Sequence, residues 1–112
     1  MFDFKWSASE KKVARQAYER ALEARLERLM TQFKARAAAA TTPADVWAVE
    51  EFLREQRQDI ERTFDYRYSQ LPLVFARLIL AGLMDEADLK GLADDKLGAM
   101  RRILEYARDD GR

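Results

Sequence analysis

The 112-residue chain has no cysteine and no histidine, and these two absences exclude more chemistry than any residue present suggests. Without cysteine there is no disulfide framework and no zinc–thiolate site. Without histidine the commonest metal ligand, the usual general base near neutral pH and the Cys–His and Ser–His nucleophile pairs are all missing. Tyr18, Tyr66, Tyr68 and Tyr106 have no such neighbour to activate them, and a tyrosine with an apolar body and a wet hydroxyl is ordinary at a helix edge. The acidic clusters Glu50-Glu51, Asp85-Glu86-Asp88 and Asp94-Asp95 lack the Glu-x-x-His pairs that di-metal bundles use. The expectation is a protein that is not an enzyme and holds no cofactor or metal.

Long apolar runs are also missing. The most apolar stretch, Leu71 to Leu83, is interrupted by Pro72, Arg77 and Gly82 and is too short to span a bilayer. Met-Phe-Asp-Phe-Lys-Trp at the amino terminus lacks the basic region, apolar stretch and small-residue cleavage site of a secretory signal. A soluble cytoplasmic protein without a membrane segment is expected. Charge of one sign is absent as well, with 20 basic and 20 acidic residues, which argues against nucleic-acid binding driven by phosphate neutralisation. The charge is nevertheless uneven. Residues 1–40 carry nine Lys/Arg against five Asp/Glu, and residues 41–70 four against seven, so the two stretches are suited to lie against each other.

What is present is helical periodicity throughout, and an all-α fold follows. Ser7-Ala-Ser-Glu10 has the form of a capping box, and Trp6 before it is placed to pack as a staple. The helix so started runs through Leu22, Leu26, Leu29 and Phe33, spaced four, three and four apart, until Thr41, Thr42 and Pro43 stop it. Thr42-Pro-Ala-Asp45 opens a second helix, with proline at its first position and an acid at its positive end, expected to reach about Tyr66. Ser69 is the expected cap of a third, strongly apolar helix (Leu73, Val74, Phe75, Leu78, Ile79, Leu80) that Gly82 ends. A short helix from Asp85 to about Leu92 precedes a last one over about Asp94 to Arg108, with Leu97, Met100, Ile103, Leu104 and Ala107 inward. Asp-Asp-Gly-Arg112 is expected to fray. The reading is one domain over 1–112, elongated, with long dimerising helices over 7–66 and a compact helical head over 69–108.

Lengths then predict an assembly. A first helix of about 32 residues is about 48 Å long, whereas a compact chain of this size has a radius of gyration of about 13 Å. The helix must project, and its apolar stripe faces water unless another copy covers it. A homodimer is expected, with Leu22, Leu26, Leu29, Met30, Phe33 and Val46 at its interface.

The second helix carries the candidate site. Glu50, Glu51, Arg54 and Arg57 are spaced by three, four or seven residues and ride between the apolar positions Val49, Phe52, Leu53, Ile60 and Phe64. Such a mixed-charge face suits recognition of a partner. It also suits a plain ladder of intrahelical ion pairs. Trp47, one turn earlier, suits either helix packing or an interface.

The run from Trp47 through Phe52-Leu53 and Arg57 to Asp65-Tyr-Arg67-Tyr-Ser69 resembles the fluorescence recovery protein family. The resemblance extends to Trp6-Ser7, Glu10, Tyr18, Phe75-Ala76, Leu80, Gly82-Leu83, Leu89, Leu92 and Asp95-Lys96. It implies a dimer of long crossing helices with carboxy-terminal heads and no cofactor of its own. It also implies a non-enzymatic regulatory role: binding the carboxy-terminal domain of the photoactivated orange carotenoid protein and accelerating its return to the resting form. By the same resemblance Glu51 and Arg57 belong to the contact surface, and helical spacing adds Glu50 and Arg54, with Trp47 one turn earlier, to the candidate partner-binding set. The chain departs from the cyanobacterial pattern at Glu50-Glu51, where His-Asp is usual, and at Ala99, where lysine is usual. Retained shape with altered charge leaves an alternative open, a dimeric helical adaptor of the same fold that binds a different cytoplasmic partner.

Overall fold

A computed structural model describes residues 2–110. Four α-helices and one 3-10 turn follow in order: α1 (Ala8–Ala39), α2 (Pro43–Thr63), α3 (Leu71–Leu80), the 3-10 turn (Glu86–Leu89) and α4 (Asp94–Asp110). The architecture is all-α, with no strand among the described residues. α1 is 32 residues long, and the molecule measures 53 × 34 × 23 Å with a radius of gyration of 16.9 Å. The long helix does project beyond what a compact fold would cover.

Both long helices start on full capping boxes. The Ser7 hydroxyl accepts from the Glu10 N–H at 3.1 Å and Glu10 accepts from the Ser7 N–H at 3.0 Å. At α2, the Asp45 carboxylate accepts from the Thr41 and Thr42 N–H groups while the Thr42 hydroxyl accepts from the Asp45 N–H. The three-residue turn Ala40–Thr42 therefore folds α2 back beside α1 with few options.

The core lies at the end of the molecule far from that turn. Leu71, Val74, Phe75 and Leu78 of α3 meet Met100 and Leu104 of α4, with Ala14, Ala17, Tyr18 and Ala21 of α1, Met84, Leu89 and Leu92 closing around them. The alanines let α1 approach closely. α3 ends as its glycine predicts, with Gly82 at φ +74 and the Leu83 N–H donating to the Leu78 carbonyl at 2.9 Å, the paired closure of a Schellman end.

One polar pair sits inside this head. Lys96 donates to Glu10 at 2.9 Å and reaches Asp95 at 3.3 Å, and the Ala93 N–H donates to the same Glu10 carboxylate at 2.9 Å. Glu10 is 7% exposed and Lys96 4%. Burial alone pushes the Glu10 carboxyl up, but hydrogen bonds from Ser7, Ala93 and Lys96 outweigh it and hold the carboxyl at about 2. Burial pushes the Lys96 ammonium down, and its bonds to Glu10 and Asp95 outweigh that and raise it. Glu10 thus closes its own cap and ties the start of α1 to the first turn of α4.

Several expected boundaries move. α2 ends at Thr63 rather than about Tyr66, because Phe64 and Tyr66 leave the helix to stack edge-on against Tyr18 at 5.5 and 4.7 Å. Arg67 clamps Asp65 with three hydrogen bonds of 2.6–3.1 Å across that bend and holds its carboxyl below the ordinary range. Ser69 does not cap α3. Gln70 stands at the cap position without a side-chain hydrogen bond, and Pro72 falls in the first turn. Leu80, placed inward by pattern, is 48% exposed as the last residue of α3. The expected fourth helix shrinks to the 3-10 turn, closed by Asp88 accepting from the Asp85 N–H at 3.0 Å and followed by Gly91 at φ +112, a value no helix continues through. α4 extends to Asp110, two residues beyond expectation, and of the tail predicted to fray Gly111 and Arg112 lie outside the described residues.

Candidate functional site

α2 presents its charged face to solvent. The Glu50 carboxylate accepts from Arg54 Nη2 at 2.7 Å, an exposed i,i+4 pair. Arg57, one turn further along, is exposed and has no ion-pair partner among the described residues. Of the ladder that spacing allows, only this Glu50–Arg54 rung forms. With Leu53 as a half-buried floor, Glu50, Arg54 and Arg57 line a shallow groove of about 240 Å³. Glu51 is exposed but does not line that groove.

Trp47 stands apart from these three. It is 66% exposed and lines an open hollow of about 430 Å³ with Val46, Pro43 and the turn residues Ala40 to Thr42. The structure therefore brings Glu50, Arg54 and Arg57 together and places Trp47 at the tip of the hairpin. Neither patch carries hydrolytic or redox equipment, and among the described residues no group of three or more Asp/Glu side chains is placed to hold a metal ion.

The expected dimer residues fall into two sets. Leu26, Met30 and Val46 are 43%, 51% and 54% exposed, while Leu22, Leu29 and Phe33 are half-buried. A second hollow, lined by Leu26, Met30, Thr31 and the stems of Glu23, Glu27 and Lys34, runs along this part of α1. Ala99, one of the two departures from the cyanobacterial pattern, is 2% exposed. It contributes packing in the head and nothing to a surface, so the change of charge on the face rests on Glu50-Glu51 alone.

Sequence reasoning missed two polar residues that position these faces. Glu10 was legible as a cap but not as the partner of Lys96. Arg25 continues the buried stripe Ala14, Ala17, Tyr18, Ala21 at helical spacing, and it is 7% exposed. A charged residue in register with small apolar ones was the available signal.

Residues 6–103 match the model of the photoprotection regulator fluorescence recovery protein. The chain belongs to the fluorescence recovery protein family. A fluorescence recovery protein from Synechocystis sp. PCC 6803 is 31% identical over 98 residues, covering 88% of this chain and 90% of that protein. The solved structure of the Fremyella diplosiphon fluorescence recovery protein superposes with a TM-score of 0.84 at 34% identity, covering 91% of this chain and 99% of that one. That of the Synechocystis protein does so at 0.85 and 30% identity, covering 90% and 99%. The fluorescence recovery protein match thus spans both the hairpin of α1 and α2 and the head, and it places this chain among photoprotection regulators. No helix among the described residues is long and apolar enough to cross a membrane.

Proposed function

We propose that this protein is a cytoplasmic, non-enzymatic regulator that works as a homodimer and accelerates the return of photoactivated orange carotenoid protein to its resting form. The observation that carries the reading is family membership across 6–103 with Arg57 exposed and unpaired on α2. A guanidinium without a counter-charge among the described residues can take a carboxylate from a partner. Glu50, Glu51, Arg54 and Trp47 surround it, and the contact is to the carboxy-terminal domain of the carotenoid protein.

The dimer follows from uncovered surface. A second copy laid along α1 and α2 buries Leu26, Met30 and Val46, which one chain leaves in water. Acceleration then requires tighter binding to the path between states than to the open state, because equal affinity for both changes no rate. The pigment belongs to the partner, so the regulator needs no cofactor.

The test is the recovery half-time of photoactivated carotenoid protein, followed by absorbance with and without a stoichiometric excess of this protein. A shortened half-time is expected. The spontaneous rate at large excess removes the carotenoid-protein role and leaves the adaptor for another partner.

A further inference from the structure

Buried in the seam between α1 and α2 is a guanidinium that stability alone does not explain. The Arg25 side chain is 9% exposed. Its Nη2 donates to Gln56 Oε1 at 2.6 Å and to Asp59 Oδ2 at 3.2 Å, while Nη1 is buried with no hydrogen-bond partner among the described residues. Its one carboxylate is half-exposed and also stands 4.0 Å from Arg62. A buried charge so incompletely satisfied is a poor stabiliser, and an apolar side chain of similar shape commonly does as well or better.

What the guanidinium supplies is direction. Among the described residues these are the only side-chain hydrogen bonds that join α1 to α2. The other polar contact across the seam, the Arg36 guanidinium over the Phe52 ring at 4.0 Å, is a cation–π attraction without a hydrogen bond, and it persists as the cation slides over the ring face. Packed apolar surfaces allow a helix to roll by a fraction of a residue step at little penalty. The two N–H bonds of Nη2, held in the guanidinium plane and directed at Gln56 and Asp59 three residues apart on α2, do not.

The geometry points to Arg25 as a positioning residue that indexes the rotation of α2 about its axis. Gln56 is the immediate neighbour of Arg57, so fixing Gln56 against α1 fixes the direction in which Arg57 and Arg54 leave the other side. The role rests on the proposed function only in what that face then binds.

The test uses Arg25→Met, which keeps much of the packing volume and removes both donated bonds. Spin labels at Glu27→Cys and Gln58→Cys, both exposed positions in a chain with no native cysteine, read the seam. Dilution with unlabelled protein leaves only intrachain pairs. R25M should keep the melting temperature of the parent, or raise it, while the distance distribution broadens. Acceleration of carotenoid-protein recovery by unlabelled R25M should fall roughly fivefold. Loss of melting temperature with an unchanged distribution would mark a merely structural residue and overturn the inference, and so would an unchanged distribution alone. If R25M does not fold, Arg25→Lys retains the charge on a side chain one bond shorter, without the plane that fixes the donor directions, and the same broadening is expected of it. Should the parent protein itself fail to accelerate recovery, the proposed function fails, and the distance distribution still decides the role of Arg25.

Discussion

The head and the hairpin arm of this protein are built from similar residues but solve burial in opposite ways. In the head, α3 is enclosed on all sides but one, with Leu71, Phe75 and Leu78 at most 1% exposed, and the buried charged pair Glu10–Lys96 is hydrogen-bonded on both partners. In the arm, Leu26, Met30, Val46 and Trp47 are left 43–66% exposed, and the buried charge, Arg25, is incompletely paired. The head closes on itself, whereas the arm has surface to spare and polar contacts that aim rather than seal. Chemistry that fixes the fold is thus separated from the surface proposed to meet a partner, and the proposal requires that each can be perturbed without the other.

The largest expected effect breaks the head. Lys96→Met leaves the Glu10 carboxylate buried without its cation and should lower stability by about 3–5 kcal/mol, as removal of one member of a buried pair does. Thermal unfolding by circular dichroism measures it. The same pair sets an acid limit. Because the folded Glu10 carboxyl is held at about 2 against an ordinary 4.5, the unfolded chain binds its proton first as pH falls. The stabilisation is therefore complete above 4.5 and is lost as pH drops toward 2. Lys96, raised above its ordinary 10.5, adds stability that is present below that value and lost as pH climbs past it. An unfolding midpoint that stays flat between pH 5 and 2 contradicts the assignment.

The next effect breaks the arm and spares the head. Leu29→Glu places a charge in the proposed dimer seam, with a penalty of several kcal/mol if the position is dry. Light scattering coupled to size exclusion should then give about the 13.1 kDa chain mass in place of twice that value for the parent. Near-ultraviolet signals from Tyr18, Tyr66 and Tyr68 in the head should persist. A parent that runs as a monomer at micromolar concentration removes the dimer.

The smallest effect on stability sharpens the contrast furthest. Arg57→Ala, exposed and unpaired, should change stability by no more than about 0.5 kcal/mol while carotenoid-protein recovery slows toward the spontaneous rate. If R57A works as well as its parent, the contact surface lies elsewhere on the molecule. Arg67→Ala is the control with the opposite signature, since it unpins the bend at Asp65 and should lower the melting temperature as well.

The starts of α1 and α2 were legible because they are local, whereas α3 starts on Gln70 without a side-chain cap and the expected cap at Ser69 does not form. Ser7-x-x-Glu10 and Thr42-x-x-Asp45 carry the whole cap in four residues, and Gly82 carries its turn alone. Helix ends were less so, because the exit of α2 at Thr63 is decided by Tyr18, far away in sequence, drawing Phe64 and Tyr66 off the helix axis. The site followed the same rule. Spacing placed Glu50, Arg54 and Arg57 on one side correctly, yet it could not separate Glu51 from the groove or say which rungs of the charge ladder close. The pairing of Glu10 with Lys96 and of Arg25 with Gln56 joins residues 86 and 31 apart, beyond any periodicity.

The two tryptophans divide between these regions, and that gives the molecule an optical consequence. Trp6 is half-buried in the head, its ring 5.3 Å from Tyr68 and under the Lys96 ammonium, whereas Trp47 stands in solvent at the hairpin tip. Intrinsic emission should therefore resolve into a blue, shielded component and a red one open to acrylamide. Denaturant exposes the first, and anything that covers the tip shields the second. One fluorophore reports folding and the other reports contact, without a label on either.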